Sequence, residues 1–315
     1  MIYVDDILII TEDNNINTIK QAISNKFKIR DLGEINNFLN VTVTPTTQSI
    51  KLSQANYINK ILTKFQMQDC KPTTTPMVPN YQPQSNDEYQ PTDLKTYQKI
   101  IGSLVYISTI TRPDITFAVH HLSTFLSNPQ NIHLIAAKRI LRYLKGTINH
   151  TIIINKCDLN VFNIQIYNDA DFGGDSATGK STSGTIVTFN NNPISWKSDK
   201  QKCVTISTME SELVAMTQAM KETLWLLNIC EELSIKHSTV TIFKDNQSTI
   251  KFLENDSTYH PRTKHINIKY HFIKEQIKKY NINIEYSPTN DMLADFLTKP
   301  LSKVKLLSFV QPFLH

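Results

Sequence analysis

The sequence predicts an α/β protein of the α+β kind with more than one domain. At 315 residues the chain exceeds what one ordinary hydrophobic core fills. Apolar residues recur at helical intervals through most of the first half, whereas the period changes to two from position 160, before a long helical segment begins near position 208. A proline-rich stretch lies between two helical regions. These three observations favour separate mixed domains joined by a connector.

The first 69 residues predict a small mixed segment. Residues 2–10 read as an apolar hairpin whose arms are buried and whose turn exposes Asp5 and Asp6. Two adjacent carboxylates at such a tip suit a divalent metal at a phosphoryl-transfer site, although an ordinary Asp-Asp turn has the same sequence. A helix over 16–27, a strand over 38–44 and a helix over 53–65 follow.

Residues 70–92 predict an extended surface connector, because five prolines stand there among Thr, Asn, Gln and Ser. Three helices follow over 93–109, 114–127 and 131–145, each with apolar residues three and four positions apart. Pro113 and Pro129 lie at or just before helix starts, where the missing N–H is tolerated. This region therefore predicts a small helical bundle.

The second half predicts a mixed sheet with helices. Strands are expected over 161–169, 184–189 and 194–197, as an antiparallel meander, then a long helix over 208–233. A strand over 240–244, helices over 247–253 and 265–279, a strand over 282–286 and a helix over 291–298 complete the series. Three strands, helix, strand, helices, strand and helix is the element order of an RNase H domain.

Composition excludes several classes of protein. No apolar run approaches the ~18 residues of a membrane span, and no secretion signal precedes the first hairpin. The four cysteines are scattered, so neither a zinc site nor a disulfide framework is indicated. We expect no membrane partner and no small-molecule cofactor. The formal net charge of +5 is compatible with a nucleic-acid partner.

Carboxylates recur where the second-half elements would meet. Asp169 and Asp245 end predicted strands, Glu210 and Glu212 lie in the first turns of the long helix, and Asp295 lies in the last helix. Carboxylates gathered in one pocket need cations, because like charges raise each other's pKa. Oxygen ligands suit Mg²⁺ or Mn²⁺, and two such ions can catalyse phosphodiester hydrolysis. Helical spacing allows either glutamate to face the core.

One segment of the chain is strongly basic. Nine cationic or histidine residues crowd into positions 260–279. The residues expected to contact phosphates are Arg262, Lys264, His265, Lys269 and Lys274. Ile266, Tyr270, Ile273 and Ile277 form the apolar stripe that would be buried. The alternative is a solvated helix face without a ligand.

Ordered sequence blocks in the second half resemble the RNase H domain of copia-type LTR retrotransposon Pol polyproteins. They are YNDADFGGD at 167–175, KSTSG at 180–184, STMESE at 207–212, DNQS at 245–248, RTKHI at 262–266, YHFI at 270–273 and ADFLTKPL at 294–301. The departures are small: Phe172 stands where the family has Trp, and Gly173 where Ala is common.

The resemblance implies roles for individual residues. Asp169, Glu212, Asp245 and Asp295 would be the catalytic carboxylates that hold two Mg²⁺ or Mn²⁺ ions. Glu212 is preferred over Glu210 because the residues from 212 to 215, ELVA, resemble the E-L-x-A of RNase H helices. We place Asp171 on the opposite strand face from Asp169 and treat it as a secondary candidate.

The first half resembles the reverse transcriptase of the same family. The matching blocks are YVDD at 3–6, FKIRDLGEINNFL at 27–39, SQANYI at 53–58, GSLVY at 102–106, TRPDI at 111–115 and AKRILRYLKGT at 137–147. Asn40 stands where the family commonly has Gly. Asp5 and Asp6 would be a polymerase remnant, because a third palm carboxylate would come from a strand upstream. Polymerase activity is therefore not expected from this chain.

The resemblance divides the chain into five parts. They are a partial reverse transcriptase palm with the start of a thumb at 1–69, the connector at 70–92, a helical thumb or connection at 93–150, an RNase H-like domain at 160–300 and a C-terminal tail at 301–315. The implied function is that of a truncated Pol product that hydrolyses the RNA of RNA–DNA hybrids. The alternatives are an inert product of a degenerate reading frame and a non-catalytic nucleic-acid-binding remnant.

The expected partners are an RNA–DNA hybrid and other Pol or Gag products. The expected location is the cytoplasm, a virus-like particle or the nucleus.

Overall fold

A computed structural model describes residues 1–11, 15–79, 81, 92–157, 162–236, 239–254 and 264–315, with only the backbone at 264–266. The chain divides into two compact units, residues 1–36 and 37–315. Each unit has its own architecture. The predicted domain boundaries stay a prediction.

The described part of the first unit holds a hairpin and one helix. Strands β1 (Ile2–Tyr3) and β2 (Asp6–Ile7) pair antiparallel, and helix α1 spans Ile16–Ser24. The hairpin is confirmed, but the expected burial of its arms is wrong: Ile2 is 74% exposed and Ile7 44%. A two-residue ladder offers too little surface to cover bulky side chains.

The second unit holds the remaining elements. Its strands are β3 (Asn37–Phe38), β4 (Val41–Pro45), β5 (Ser49–Ser53), β6 (Ile152–Asn155), β7 (Asn163–Asp175), β8 (Lys180–Phe189), β9 (Asn192–Lys200), β10 (Thr239–Lys244) and β11 (Ile282–Tyr286). Its helices are α2 (Ala55–Lys64), α3 (Leu94–Ile110), α4 (Thr116–Ser123), α5 (Asn131–Gly146), α6 (Thr208–Glu232), α7 (Gln247–Glu254), α8 (Lys264–Tyr280) and α9 (Lys303–Val310).

The strands of this unit form two sheets. One is antiparallel, in the order β3-β4-β5-β6. The other has five strands in the order β11-β10-β7-β8-β9, in which β7, β8 and β9 are antiparallel and β10 runs parallel to both β7 and β11. The predicted α/β class with a mixed sheet is confirmed by this arrangement of strands.

The strand predicted over 38–44 is instead a tight hairpin. Phe38 pairs with Val41, and the two residues between them, Leu39 and Asn40, have φ of +51° and +59°. Two consecutive positive φ values match a type I′ turn, where asparagine is tolerated better than most residues. Asn40 therefore fills the position where the resemblance expects glycine.

Two apolar clusters form the core of the second unit. The first joins α2–α5 to Ile186 of β8 and to α9 and the residues that follow it. The second lies between the five-stranded sheet, α6 and α8. Trp196 of β9 donates its indole N–H to the carbonyl of Ser108 at 2.7 Å, which ties the sheet to α3. The predicted C-terminal tail therefore includes a helix that completes a core.

The connector is only partly a surface segment. Thr75, Pro76 and Met77 are buried, which corrects the expectation for the described part of residues 70–92. The side chain of Arg139 on α5 donates to the Thr75 hydroxyl at 3.0 Å, and that of Arg142 donates to the Lys71 carbonyl at 2.7 Å. Residue 80 and residues 82–91 lie outside the described residues.

Among the described helices, none combines the length and the apolar character that crossing a membrane requires.

Candidate metal centre

Three of the predicted carboxylates converge in the second unit. Asp169 lies on β7, Glu212 in the second turn of α6, and Asp245 directly after β10. One oxygen from each lies within 4.8 Å of the others. Asp169 and Glu212 are buried, whereas Asp245 is partly exposed. The group therefore opens to solvent on the Asp245 side.

Strand register explains how Asp169 and Asp245 meet. The parallel strands β7 and β10 pair Tyr167 with Phe243, so the residue two positions further along each strand is an aspartate. Side chains two positions apart share a face of a sheet. Asp169 and Asp245 consequently stand beside each other at the end of the β7–β10 ladder.

Helix α6 is fixed at its start, which positions Glu212. The Ser207 hydroxyl caps the helix by accepting the N–H of Glu210 at 3.1 Å. The buried Gln201 amide donates both to the Ser211 carbonyl at 2.9 Å and to the Ser183 hydroxyl of β8 at 3.0 Å. These contacts hold the first turns of α6 against the sheet.

The two glutamates of α6 occupy different surroundings. Glu212 belongs to the carboxylate group, whereas Glu210 accepts the N–H of Ile206 at 2.8 Å through its side chain. Glu210 therefore supports the cap of α6. The geometry agrees with the preference for Glu212, whose catalytic role stays a prediction.

Sequence reasoning missed one residue of this site, Lys244. Its side chain is fully buried, and its ammonium group is paired with Glu212 Oε2. It also donates to Asn168 Oδ1 at 2.9 Å and to the Asn168 carbonyl at 3.3 Å. The available signal was a lysine ending an otherwise apolar strand, next to Asp245.

Burial dominates the electrostatics of Glu212. Loss of hydration raises the pKa of Glu212 to about 7, and the charges of Asp169 and Asp245 act in the same direction. The attraction of Lys244 opposes the shift without cancelling it. Any cation that enters the group therefore stabilises the ionised form of Glu212.

Asp295 stands next to the three carboxylates but outside their group. It is buried, and it lies in the short 3₁₀ turn Asp295–Leu297 and forms an ion pair with Lys299. The Thr298 hydroxyl lies 2.9 Å from both Asp169 Oδ2 and the Asp295 carbonyl. Burial raises the pKa of Asp295, and the charge of Asp169 adds to this. The helix predicted over 291–298 is replaced by two 3₁₀ turns, the other being Thr289–Asp291.

A glycine allows the Asp295 turn to approach the sheet. Gly184 of β8 is paired with Asp169 in the strand register. A Cβ at position 184 would lie 2.7 Å from the Ala294 carbonyl oxygen and 2.8–2.9 Å from side-chain atoms of Leu297 and Thr298. Such distances are too short for any real contact, so the turn packs here only against glycine.

The prediction that Asp171 lies on the opposite face from Asp169 is wrong. Residues two apart on a strand share a face, and both residues belong to the continuous pairing of β7 with β8. Burial raises the pKa of Asp171, and the charges of Asp169 and Asp295 contribute, against that of Lys299. Asp171 also lines a cleft of about 270 Å³ together with Thr298 and Lys299.

The other predicted site residues lie elsewhere or outside the described residues. Asp5 and Asp6 are exposed in the first unit, where Asp6 begins β2. Lys269 and Lys274 lie half-buried on α8, and Lys274 stands 5.3 Å from the centre of the Tyr270 ring. Tyr270 and Ile273 are buried as expected. Arg262, and the side chains of Lys264 and His265, are outside the described residues.

The donor set fits a hard divalent cation. Three carboxylates supply only oxygen ligands, which Mg²⁺ and Mn²⁺ prefer. The neighbouring Thr298 and Thr289 hydroxyls orient two of them, since Thr289 donates to Asp245 Oδ2 at 3.0 Å. The site can therefore hold such an ion with its ligands already oriented.

Known proteins resemble both halves of the chain. A reverse transcriptase (RNA-dependent DNA polymerase) family model matches residues 1–79. The chain is 38% identical over 311 residues to the retrovirus-related Pol polyprotein from transposon RE1 of Arabidopsis thaliana, which covers 98% of this chain and 21% of the relative. It is 36% identical over 314 residues to that from transposon TNT 1-94 of Nicotiana tabacum, covering 97% and 23%.

The chain spans about a fifth of the length of these polyproteins. Among solved structures, LC11-RNase H1 in complex with an RNA/DNA hybrid matches 43% of this chain and 93% of that chain, with a TM-score of 0.35 and 15% identity.

Proposed function

The chain belongs to the family of retrovirus-related Pol polyproteins of copia-type transposons, and we propose that residues 160–300 hydrolyse the RNA strand of RNA–DNA hybrids in a divalent-metal-dependent reaction. The observation that carries the proposal is the convergence of Asp169, Glu212 and Asp245 within 4.8 Å. Adjacent parallel strands and a capped helix supply these three side chains, so their positions do not depend on a mobile loop.

The carboxylates have distinct tasks in this proposal. Asp169, Glu212 and Asp245 hold the metal, and Asp295 serves as a fourth ligand from the Asp169 side. When bound, two Mg²⁺ or Mn²⁺ ions would act as Lewis acids that favour deprotonation of a water and offset the negative charge on the leaving 3′ oxygen. Burial raises the pKa of Glu212 and of Asp295, which means that it disfavours the ionised form of each carboxylate. Bound cations would stabilise both ionised forms.

Helix α8 offers a surface for the substrate backbone. Tyr270 and Ile273 of its apolar stripe are buried, while Lys278 and Lys279 are exposed and Lys269 and Lys274 are half-buried. Cations along one helix neutralise phosphates without reading bases. We assign Arg262, Lys264, His265, Lys269 and Lys274 to this contact, on the basis of their chemistry.

The proposal extends to partners and location. An RNA–DNA hybrid is the substrate, other Pol or Gag products are partners, and the protein acts in the cytoplasm, in virus-like particles or in the nucleus. Affinity purification of the tagged chain from cells that express the full element tests these partners. The absence of polymerase activity stays a prediction, which primer extension by the purified 315-residue chain would contradict.

Cleavage of a labelled hybrid tests the proposed activity. The wild-type chain should cut the RNA strand in Mg²⁺ and leave double-stranded RNA and DNA intact. Asp245→Asn should lose at least about 100-fold in rate, since loss of a metal ligand exceeds the 10–100-fold typical of its outer-shell partners. The matched control is Asp291→Asn, an exposed carboxylate in the nearby turn, which should keep wild-type activity.

The assay also distinguishes the alternatives. Hybrid binding without cleavage by any variant would favour a non-catalytic nucleic-acid-binding remnant. Neither binding nor cleavage would favour an inert product. Equal cleavage by the wild type and Asp245→Asn would contradict the proposed site.

A further inference from the structure

The acidic site contains its own cation. The Lys244 ammonium group has three N–H donors, and three acceptors surround it: Glu212 Oε2, Asn168 Oδ1 at 2.9 Å and the Asn168 carbonyl at 3.3 Å. Lys244 is fully buried, and Glu212 is 3% exposed. The ammonium is therefore held in a complete hydrogen-bonded cradle.

Asn168 is itself fixed, which makes this cradle rigid. Its side-chain amide donates to the Gly184 carbonyl and to the Thr185 hydroxyl, both at 3.0 Å. With its N–H groups used on β8, the amide oxygen is left facing the ammonium. The cradle thus depends on β7, β8 and α6 together, and it orients Lys244 toward Glu212.

Glu212 faces cations on two sides. Its carboxylate is held by Lys244, and it also belongs to the group with Asp169 and Asp245. A divalent ion bound by that group would share Glu212 with a buried positive charge. Charges in such a poorly hydrated place repel strongly, because little water screens them.

The count of charges in the site shows how much of its negative charge the lysines already balance. Asp169, Glu212, Asp245 and Asp295 carry four negative charges when ionised, and their paired lysines, Lys244 and Lys299, carry two positive charges. At least two negative charges therefore remain for divalent cations to neutralise. Without Lys244 the same carboxylates would attract metal more strongly.

We propose that Lys244 is a built-in counter-cation that competes with divalent metal for Glu212 and weakens metal binding at this site. The inference rests on the proposed function, because it assigns the carboxylate group to a metal. Its consequence is a site that is neutralised in part before any ion binds. Removing the ammonium should therefore tighten metal binding.

Calorimetric titration of the full chain with Mn²⁺ tests the inference, with electron paramagnetic resonance to count bound ions. Lys244→Met should lower the dissociation constant by about 10- to 100-fold, the range through which groups behind the ligands act. The matched control is Lys197→Met, which removes a lysine paired with Glu222 outside the site and should leave the dissociation constant unchanged. Lys244→Gln, also neutral, replaces Lys244→Met if circular dichroism shows that the latter does not fold.

The outcomes separate this inference from the proposed function. If the Lys244 variant binds Mn²⁺ more tightly, and adding Asp245→Asn abolishes that binding, both the inference and the proposed function are supported. Unchanged or weaker binding by a folded Lys244 variant overturns the inference, while loss of binding in Asp245→Asn alone still supports the metal site. Absence of Mn²⁺ binding in the wild type and in both Lys244 variants overturns both.

Discussion

At the scale of single residues, the acids of the site were predictable and their counter-ions were not. Asp169 ends the alternating segment predicted as a strand over 161–169, and Asp245 follows the strand predicted over 240–244, so the sequence places both acids at predicted strand ends. In the structure β7 continues beyond Asp169 to Asp175. The role of Lys244 depends on three elements meeting, because its acceptors belong to Glu212 of α6 and Asn168 of β7. No local pattern encodes such a contact.

The buried Glu212 makes stability depend on pH when metal is absent. Its pKa is raised from 4.5 to about 7, so the folded chain binds a proton more tightly than the unfolded chain between these values. This stabilisation is fully present below about pH 4.5 and is lost as the pH rises through 7. The loss is on the order of 3 kcal/mol.

Urea unfolding in EDTA between pH 4.5 and 8 measures this effect. The free energy of unfolding of wild type should fall more steeply with pH than that of Glu212→Gln, whose residue 212 cannot titrate. Equal slopes for wild type and Glu212→Gln would contradict the raised pKa.

At the scale of elements, long and periodic segments were predicted well and short ones were not. The long helix α6 and the meander β7–β9 match their predicted places within a few residues, except that β7 and β8 are longer. Strands β5 and β6 went unpredicted because their apolar runs are short, and they gain stability from pairing with each other across about 100 residues. The turns around Asp295 are held by packing on Gly184, and the intrinsic helix propensity of their residues does not indicate such a contact.

Gly184→Ala tests whether that packing positions Asp295. The added Cβ would lie 2.7 Å from the Ala294 carbonyl oxygen, so the turn must move away from β8. We expect a loss of about 1–3 kcal/mol in the free energy of unfolding, together with weaker Mn²⁺ binding. Chemical denaturation and Mn²⁺ titration measure the two effects.

Gly102→Ala is the control for this substitution. Gly102 lies exposed inside α3 with open space around it, so alanine should stabilise the chain by about 0.5–1 kcal/mol. A neutral or stabilising Gly184→Ala would contradict the close approach.

At the scale of the whole molecule, the helical region and the five-stranded sheet share a core. The first apolar cluster contains residues of α2–α5, β8, the Asp295 turn and the C-terminal segment. Apolar packing therefore joins the helices and the five-stranded sheet within residues 37–315. Sequence patterns reveal where elements lie, but they do not reveal which apolar faces pack together across 150 residues.

Phe313→Ala tests this shared core, because Phe313 is 2% exposed and packs in the first cluster. Its removal should cost about 3–5 kcal/mol and lower the stability of residues 37–315 in one cooperative transition. Val304→Ala, at a position that is 79% exposed in α9, should change stability by less than about 0.5 kcal/mol. Melting of the sheet without the helices would contradict a common core.

The central claim is that Asp169, Glu212 and Asp245 hold the metal that supports RNA cleavage. Anomalous X-ray scattering from crystals of this chain soaked in Mn²⁺ tests it most directly. A manganese peak should lie within about 2.0–2.3 Å of an oxygen of each carboxylate, the range of hard divalent ions. Manganese bound elsewhere, with these three carboxylates left without an ion at saturating Mn²⁺, would contradict it.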